Sequence, residues 1–157
     1  MIWRPLPREA SHSDSSTLRD ALMQRVQRGE GIGILGYLDG KPVAWTSIAP
    51  RSTYLDLGGK QDAADAPECV WSLVCFFVLQ RLQGLGITKH LIQAAAAYAR
   101  RNGATVVEAY PVDPDSPSLR SMGRFMGVIS SFKAAGFQKV GIAGSDQHVR
   151  HVMRLKL

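Results

Sequence analysis

Residues 70–103, VWSLVCFFVLQRLQGLGITKHLIQAAAAYARRNG, decide the fold. Val70 to Val78 is almost wholly apolar and about as long as a strand covered on both faces. The chain then turns through Leu79–Gln80–Arg81–Leu82 into Gln83–Gly84–Leu85–Gly86, and a helical period begins. Ile87, Leu91, Ala94, Ala95 and Tyr98 fall on one stripe, while Lys89, Gln93, Arg100 and Arg101 fall elsewhere. Asn102–Gly103 ends the helix, because glycine takes a left-handed cap at least cost. A glycine turn feeding a helix N-terminus suits an anion: the first helical N–H groups lack partners and carry partial positive charge. Gly84 and Gly86 would let the backbone approach a phosphate with no Cβ in the way. The same glycines could equally make a tight turn and nothing more.

The segment Gln83–Gly84–Leu85–Gly86–Ile87–Thr88 resembles the pyrophosphate loop of the GNAT superfamily of N-acetyltransferases, whose pattern is Arg/Gln-x-x-Gly-x-Gly/Ala. Gln83 and Gly86 match; Thr88 stands where Gly or Ala is usual. Val78 ends the preceding strand at the family's spacing, and Leu91–Ile92 matches its Leu-Leu-like pair. The likeness runs from about Gly31 to the C-terminus. It implies an α/β protein of the α+β type, with a mixed twisted sheet of six to seven strands flanked by helices. It also implies acetyl-CoA as co-substrate, with no metal. The backbone of Phe76, Phe77 and Val78 would bind the pantetheine arm as an added strand. Gln83, Gly84, Leu85, Gly86, Ile87 and Thr88 would bind the phosphates.

The 157 residues are expected to form a single domain, residues 1–157, with a substantial core. No apolar run approaches the roughly 20 residues of a membrane span. The N-terminus MIWRPLPREASHS lacks the apolar centre of a signal peptide, so the cytoplasm is the expected location. The net charge of +6 favours an anionic ligand, which CoA would satisfy. Dispersed arginines without interleaved aromatics argue against nucleic acid. Cys69 and Cys75 lie about 20 Å apart along one strand, too far for a disulfide, and read as small buried hydrophobes. No Cys/His cluster has zinc spacing.

Upstream, Ser15 or Ser16 can cap a helix with Leu18, Leu22 and Val26 as its stripe and Gly29 as its end. The apolar runs on either side of Asp39–Gly40 form a hairpin signal, since a type I′ turn needs positive φ at both central residues. Tyr37 to Trp45, Y-x-DG-x-PV-x-W, resembles a subgroup of the same family. Residues 52–67 read as a loop. Ala104 to Val112 is a second β-rich run, parallel to the first by its strand–helix–strand spacing. In the family these two strands splay apart, and the pantetheine arm enters there. Residues 121–135 read as a shorter helix with Phe125, Val128, Ile129 and Phe132 inward and Gly136 as cap. Phe137 to Leu157 reads as a closing hairpin, its last strand wet on one face. The family usually opens with a further strand and helix. Here the first strand is either missing or formed by Met1–Leu6.

Acetyl transfer to an amine needs a polarised carbonyl, a base for the amine and a donor for the departing thiolate. Glu108, mid-strand in Val106–Val107–Glu108–Ala109–Tyr110, is the candidate base; a glutamate at the matching place serves so in some family members. A buried carboxylate paired with an arginine or a backbone amide is the competing reading. Tyr110 shares its face by the period of two and is the remaining candidate acid. The family often draws its acid from a Tyr-x-x-x-Gly-Phe segment, but here Phe132 holds that tyrosine's place.

The resemblance thus implies an N-acetyltransferase moving acetyl from acetyl-CoA to a primary amine by direct attack in a ternary complex. The acceptor would be a small-molecule or peptide amine, and a homodimer is left open. A CoA-binding module without catalysis is the alternative. A dinucleotide-binding unit is disfavoured, because Lys89 replaces the last glycine of GxGxxG.

Overall fold

The computed structural model describes residues 15–60, 68–115, 125–144 and 149–157. The elements are α1 (Ser15–Gln27), β1 (Ile34–Leu38), β2 (Lys41–Pro50), β3 (Val70–Val78), α2 (Ile87–Arg101), β4 (Val106–Ala109), α3 (Ile129–Ala134), β5 (Gln138–Ala143) and β6 (Arg150–Lys156). The strands form one mixed sheet of six in the order β1-β2-β3-β4-β6-β5. Among these described strands only β3 and β4 run parallel, as the helix between them requires. The expected Met1–Leu6 strand lies outside the described residues. No described helix is long and apolar enough to cross a membrane.

Local chemistry explains the joints. Asp39 and Gly40 both have positive φ (49° and 73°), so β1 and β2 close as the expected tight hairpin. β3 is sheathed on both sides of the sheet, which is why its sequence is a continuous apolar run. α2 buries Leu91, Ile92, Ala95, Ala96 and Ala99 against Ile48, Leu73, Val107 and Met153. The buried stripe is rotated from the expected one, and Ala94 is exposed. On the opposite side of the sheet Ala49, Val74, Tyr110 and Val152 are covered by Tyr54 and Leu57, from the segment after β2.

Two irregularities in β3 matter for the site. Its pairing with β4 stops at Leu73↔Ala109, although β3 continues to Val78. From Val74 onward the strand therefore parts from its parallel neighbour. On the other side its register with β2 jumps between Thr46↔Phe76 and Ser47↔Val74, leaving Cys75 as a bulge at φ 54°.

Several expectations are corrected. Cys69 is exposed because it precedes β3, while Cys75 is half-buried in the bulge. The helix expected over 121–135 is only Ile129–Ala134, and Phe125 is half exposed. Residues 121–124, with the 145–148 turn of the closing hairpin, lie outside the described residues. The last strand is not wet on one face. It lies between β4 and β5, so His151 and Arg154 are buried, and β5 takes the edge with Val140 and Ile142 exposed.

Candidate active site

Where β3 parts from β4 a groove of about 570 Å³ opens. Phe76, Phe77 and Val78 form one wall, Gln83, Gly84, Gly86, Ile87 and Thr88 another, with Phe125 and Val128 closing it. The turn is shaped by a short 3-10 segment at Gln80–Leu82 and by Gly84 and Gly86 at φ 82° and 76°. Gly86 is also the N-cap of α2. A Cβ added at Gly84 or Gly86 would meet nothing within 4 Å, so these glycines serve backbone conformation and leave open space above the turn. Gln83 folds back, its side-chain amide donating to the Val78 carbonyl at 3.1 Å, which ties the turn to the strand end. Eight of the nine expected cofactor residues therefore line one cavity; Leu85, between the glycines, is largely exposed and does not.

The second cluster lies on the sheet side opposite α2. Glu108 shows no surface to solvent, and both its oxygens are taken. Oε1 accepts from the Tyr110 hydroxyl at 2.6 Å and lies 3.5 Å from Nη1 of Arg51. Oε2 accepts from Nε of Arg154 at 2.6 Å and from the Lys60 amide at 3.2 Å. Two guanidinium charges thus compensate one buried carboxylate, without which its desolvation would be prohibitive. Arg154 continues outward to Glu68, Nη1 to Oε2 at 2.6 Å. Burial, the Glu108 charge and their hydrogen bond, in that order, push the Tyr110 hydroxyl above its ordinary pKa, so it stands as a neutral donor. Ser72 lies 3.4 Å from the same hydroxyl.

The chain after β2 covers this pair. Arg51, Ser52, Tyr54, Leu55, Asp56, Leu57 and Gly59 line a pocket of about 320 Å³ with Tyr110 as its floor. Gly59 sits directly over the pair: a Cβ there would run into Oε1 of Glu108 and come within 3.0 Å of the Tyr110 hydroxyl. Asp56 stiffens the wall by accepting from the Gly58 amide at 2.8 Å. Tyr54 shares a 2.8 Å hydrogen bond with Ser47 on β2.

The structure brings Glu108 and Tyr110 together, as the strand period predicts, and sets the glycine turn along one groove. Arg51, Lys60 and Arg154 join the pair without being foreshadowed in the sequence. Their only signal was polarity in a loop and in a strand, and their partners lie far away in sequence. Phe132, in the place of the family's tyrosine, is fully buried between Phe76 and Phe137, with edge-to-face ring spacings of 5.8 and 5.2 Å. It is a core residue. Among the described residues no three His, Cys, Asp or Glu side chains converge as a metal would require.

Solved structures share this architecture. A ribosomal-protein-alanine N-acetyltransferase from Brucella melitensis is 16% identical, with 92% of this chain and 79% of that one covered at a TM-score of 0.57. The aminoglycoside acetyltransferase AAC(6')-Ib, solved in complex with coenzyme A, is 16% identical over 88% of this chain and 76% of that one at 0.60. Another structure, described as an acetyltransferase, is 15% identical over 97% and 86% at 0.62. At such identities the likeness defines a class of fold, that of the acetyltransferases with a mixed α+β sheet. The family model for the acetyltransferase (GNAT) family matches residues 1–128, and the chain belongs to that family. No curated protein sequence matches it.

Proposed function

We propose that the protein is an N-acetyltransferase that moves an acetyl group from acetyl-CoA to a primary amine by direct attack in a ternary complex. One observation carries the reading: the groove between the end of β3 and the Phe125–Val128 segment is continuous with a glycine turn at the N-terminus of α2. The residues present fit the cofactor. The turn is open above Gly84 and Gly86, and the first amides of a 15-residue helix supply donors for phosphate oxygens. The pairing of β3 with β4 ends at Leu73↔Ala109 while β3 runs on to Val78, which suits strand-like addition of an extended arm. When bound, acetyl-CoA supplies the activated acyl carbon.

Tyr110 and Glu108 take the amine's proton. The ammonium proton passes through a water to the Tyr110 oxygen as the phenolic proton passes to Oε1 of Glu108, leaving a neutral amine to attack. At Phe132 there is no hydroxyl to protonate the leaving thiolate, so the second proton, shed by the attacking nitrogen, would neutralise it, and orientation in the groove supplies much of the rate. A second reading, a CoA-binding module without turnover, is favoured by the saturation of both Glu108 oxygens.

Calorimetric titration of acetyl-CoA and of NAD into the protein and into Gly86→Glu tests the proposal. Micromolar binding of acetyl-CoA alone, lost in the folded variant, supports it, and a screen for CoA thiol release with amines then separates enzyme from module. A folded protein that binds no acetyl-CoA overturns both readings.

A further inference from the structure

We infer that the pocket over Tyr110 receives the acceptor and that Arg154 is a positioning residue, which sets that pocket's wall and the proton-accepting pair in one fixed register. Each of its three guanidinium nitrogens has a different partner. Nε donates to Oε2 of Glu108 at 2.6 Å, Nη1 to Oε2 of Glu68 at 2.6 Å, and Nη2 to the Lys60 carbonyl at 2.7 Å. Lys60 is thereby gripped at both ends of its peptide units. Its N–H goes to Glu108, and its carbonyl accepts from Arg154 and, at 2.8 Å, from Nη1 of Arg51.

Lys60 follows the residues that wall the pocket, and its neighbour Gly59 is the residue laid over Glu108 and Tyr110. A shift of Arg154 therefore moves two things together: the carboxylate that orients the Tyr110 hydroxyl, and the loop that an acceptor must meet. Lysine cannot replace it. An ammonium offers its donors from a single nitrogen, whereas the three acceptors here are spread around a planar fork. The inference rests on the proposed amine acetylation for its kinetic consequence, though not for its structural one.

The test compares Arg154→Lys with the parent by steady-state kinetics toward amine and acetyl-CoA, thermal unfolding and hydrogen exchange at the Lys60 amide. The expected result is a folded variant with unchanged acetyl-CoA affinity, exchange protection at Lys60 lost, and kcat/KM for the amine lowered about 100-fold, as a misplacement of about 1 Å can produce. Arg51→Met, on a partly exposed residue, should lower it less while leaving Glu108 bonded to Arg154, and it carries the test if Arg154→Lys fails to fold. Parent-like amine kinetics with Lys60 still protected overturns the inference, and so does an equal loss of acetyl-CoA affinity. If the parent acetylates no amine, the functional reading fails, and the exchange at Lys60 still decides whether Arg154 fixes the loop.

Discussion

The hydroxyl of Tyr110 donates to Oε1 of Glu108 at 2.6 Å, two residues back along the chain and under the cover of Gly59. Removing that hydroxyl while keeping the ring isolates its chemistry from its packing. Tyr110→Phe should fold and bind acetyl-CoA as the parent does, with kcat lowered by about 10²- to 10⁴-fold, the usual worth of a positioned proton carrier. Continuous assay of thiol release measures it. A kcat equal to the parent's would remove the pair from the mechanism.

The same pair makes a stability prediction at high pH. The pKa of Tyr110 is raised in the folded protein, chiefly by burial and then by Glu108, above its ordinary value of about 10. The unfolded chain therefore releases this proton first. The contribution is fully present below about pH 10 and is lost as pH rises from there toward the folded value. Denaturant unfolding between pH 9 and about 11.5 should show a loss of stability with pH that Tyr110→Phe reduces. Parallel slopes in parent and variant would contradict it.

Two glycine substitutions with opposite surroundings should separate steric from conformational cost. Gly59→Ala drives a methyl into Glu108 and must push the 51–60 segment off the sheet, at about 1–3 kcal/mol and with loss of amine turnover. Gly84→Ala meets nothing within 4 Å and carries only the price of a positive φ, about 1–2 kcal/mol. Chemical denaturation of both, with acetyl-CoA titration, checks the contrast. Gly59→Ala should spare the cofactor, whereas Gly84→Ala should weaken it.

Installing the family's tyrosine should not rescue an acid. Phe132 is enclosed by Phe76, Phe137 and the Gly127 backbone, so the hydroxyl in Phe132→Tyr would be buried among apolar groups at about 1–3 kcal/mol. Phe132→Ala should cost about 3–5 kcal/mol as a cavity. Thermal unfolding and thiol release are the readouts, and a faster Phe132→Tyr enzyme would refute this account.

What was legible in the sequence was local. The run Val70–Val78, the glycines at 84 and 86 and the helix after them are fixed by neighbours a few residues away, and so is the Asp39–Gly40 hairpin. Glu108 and Tyr110 share a side by strand period, so their juxtaposition could be read as well. Arg154 could not. It meets Glu108 across 46 residues and Glu68 across 86, and the alternation of basic and apolar residues around it pointed to solvent. What buries it is β6 entering between β4 and β5, and that insertion leaves no periodic trace. Phe125 misled for the opposite reason: a helical spacing was present, but the helix begins only at Ile129.

The insertion of β6 also sets an order of assembly. β5 is made before β6 but lies outside it, so β5 cannot join the sheet until β6 has been made. A ribosome-bound chain could thus form the glycine turn and α2 while Glu108 still lacks Arg154, and the buried carboxylate would gain that charge only when β6 docks.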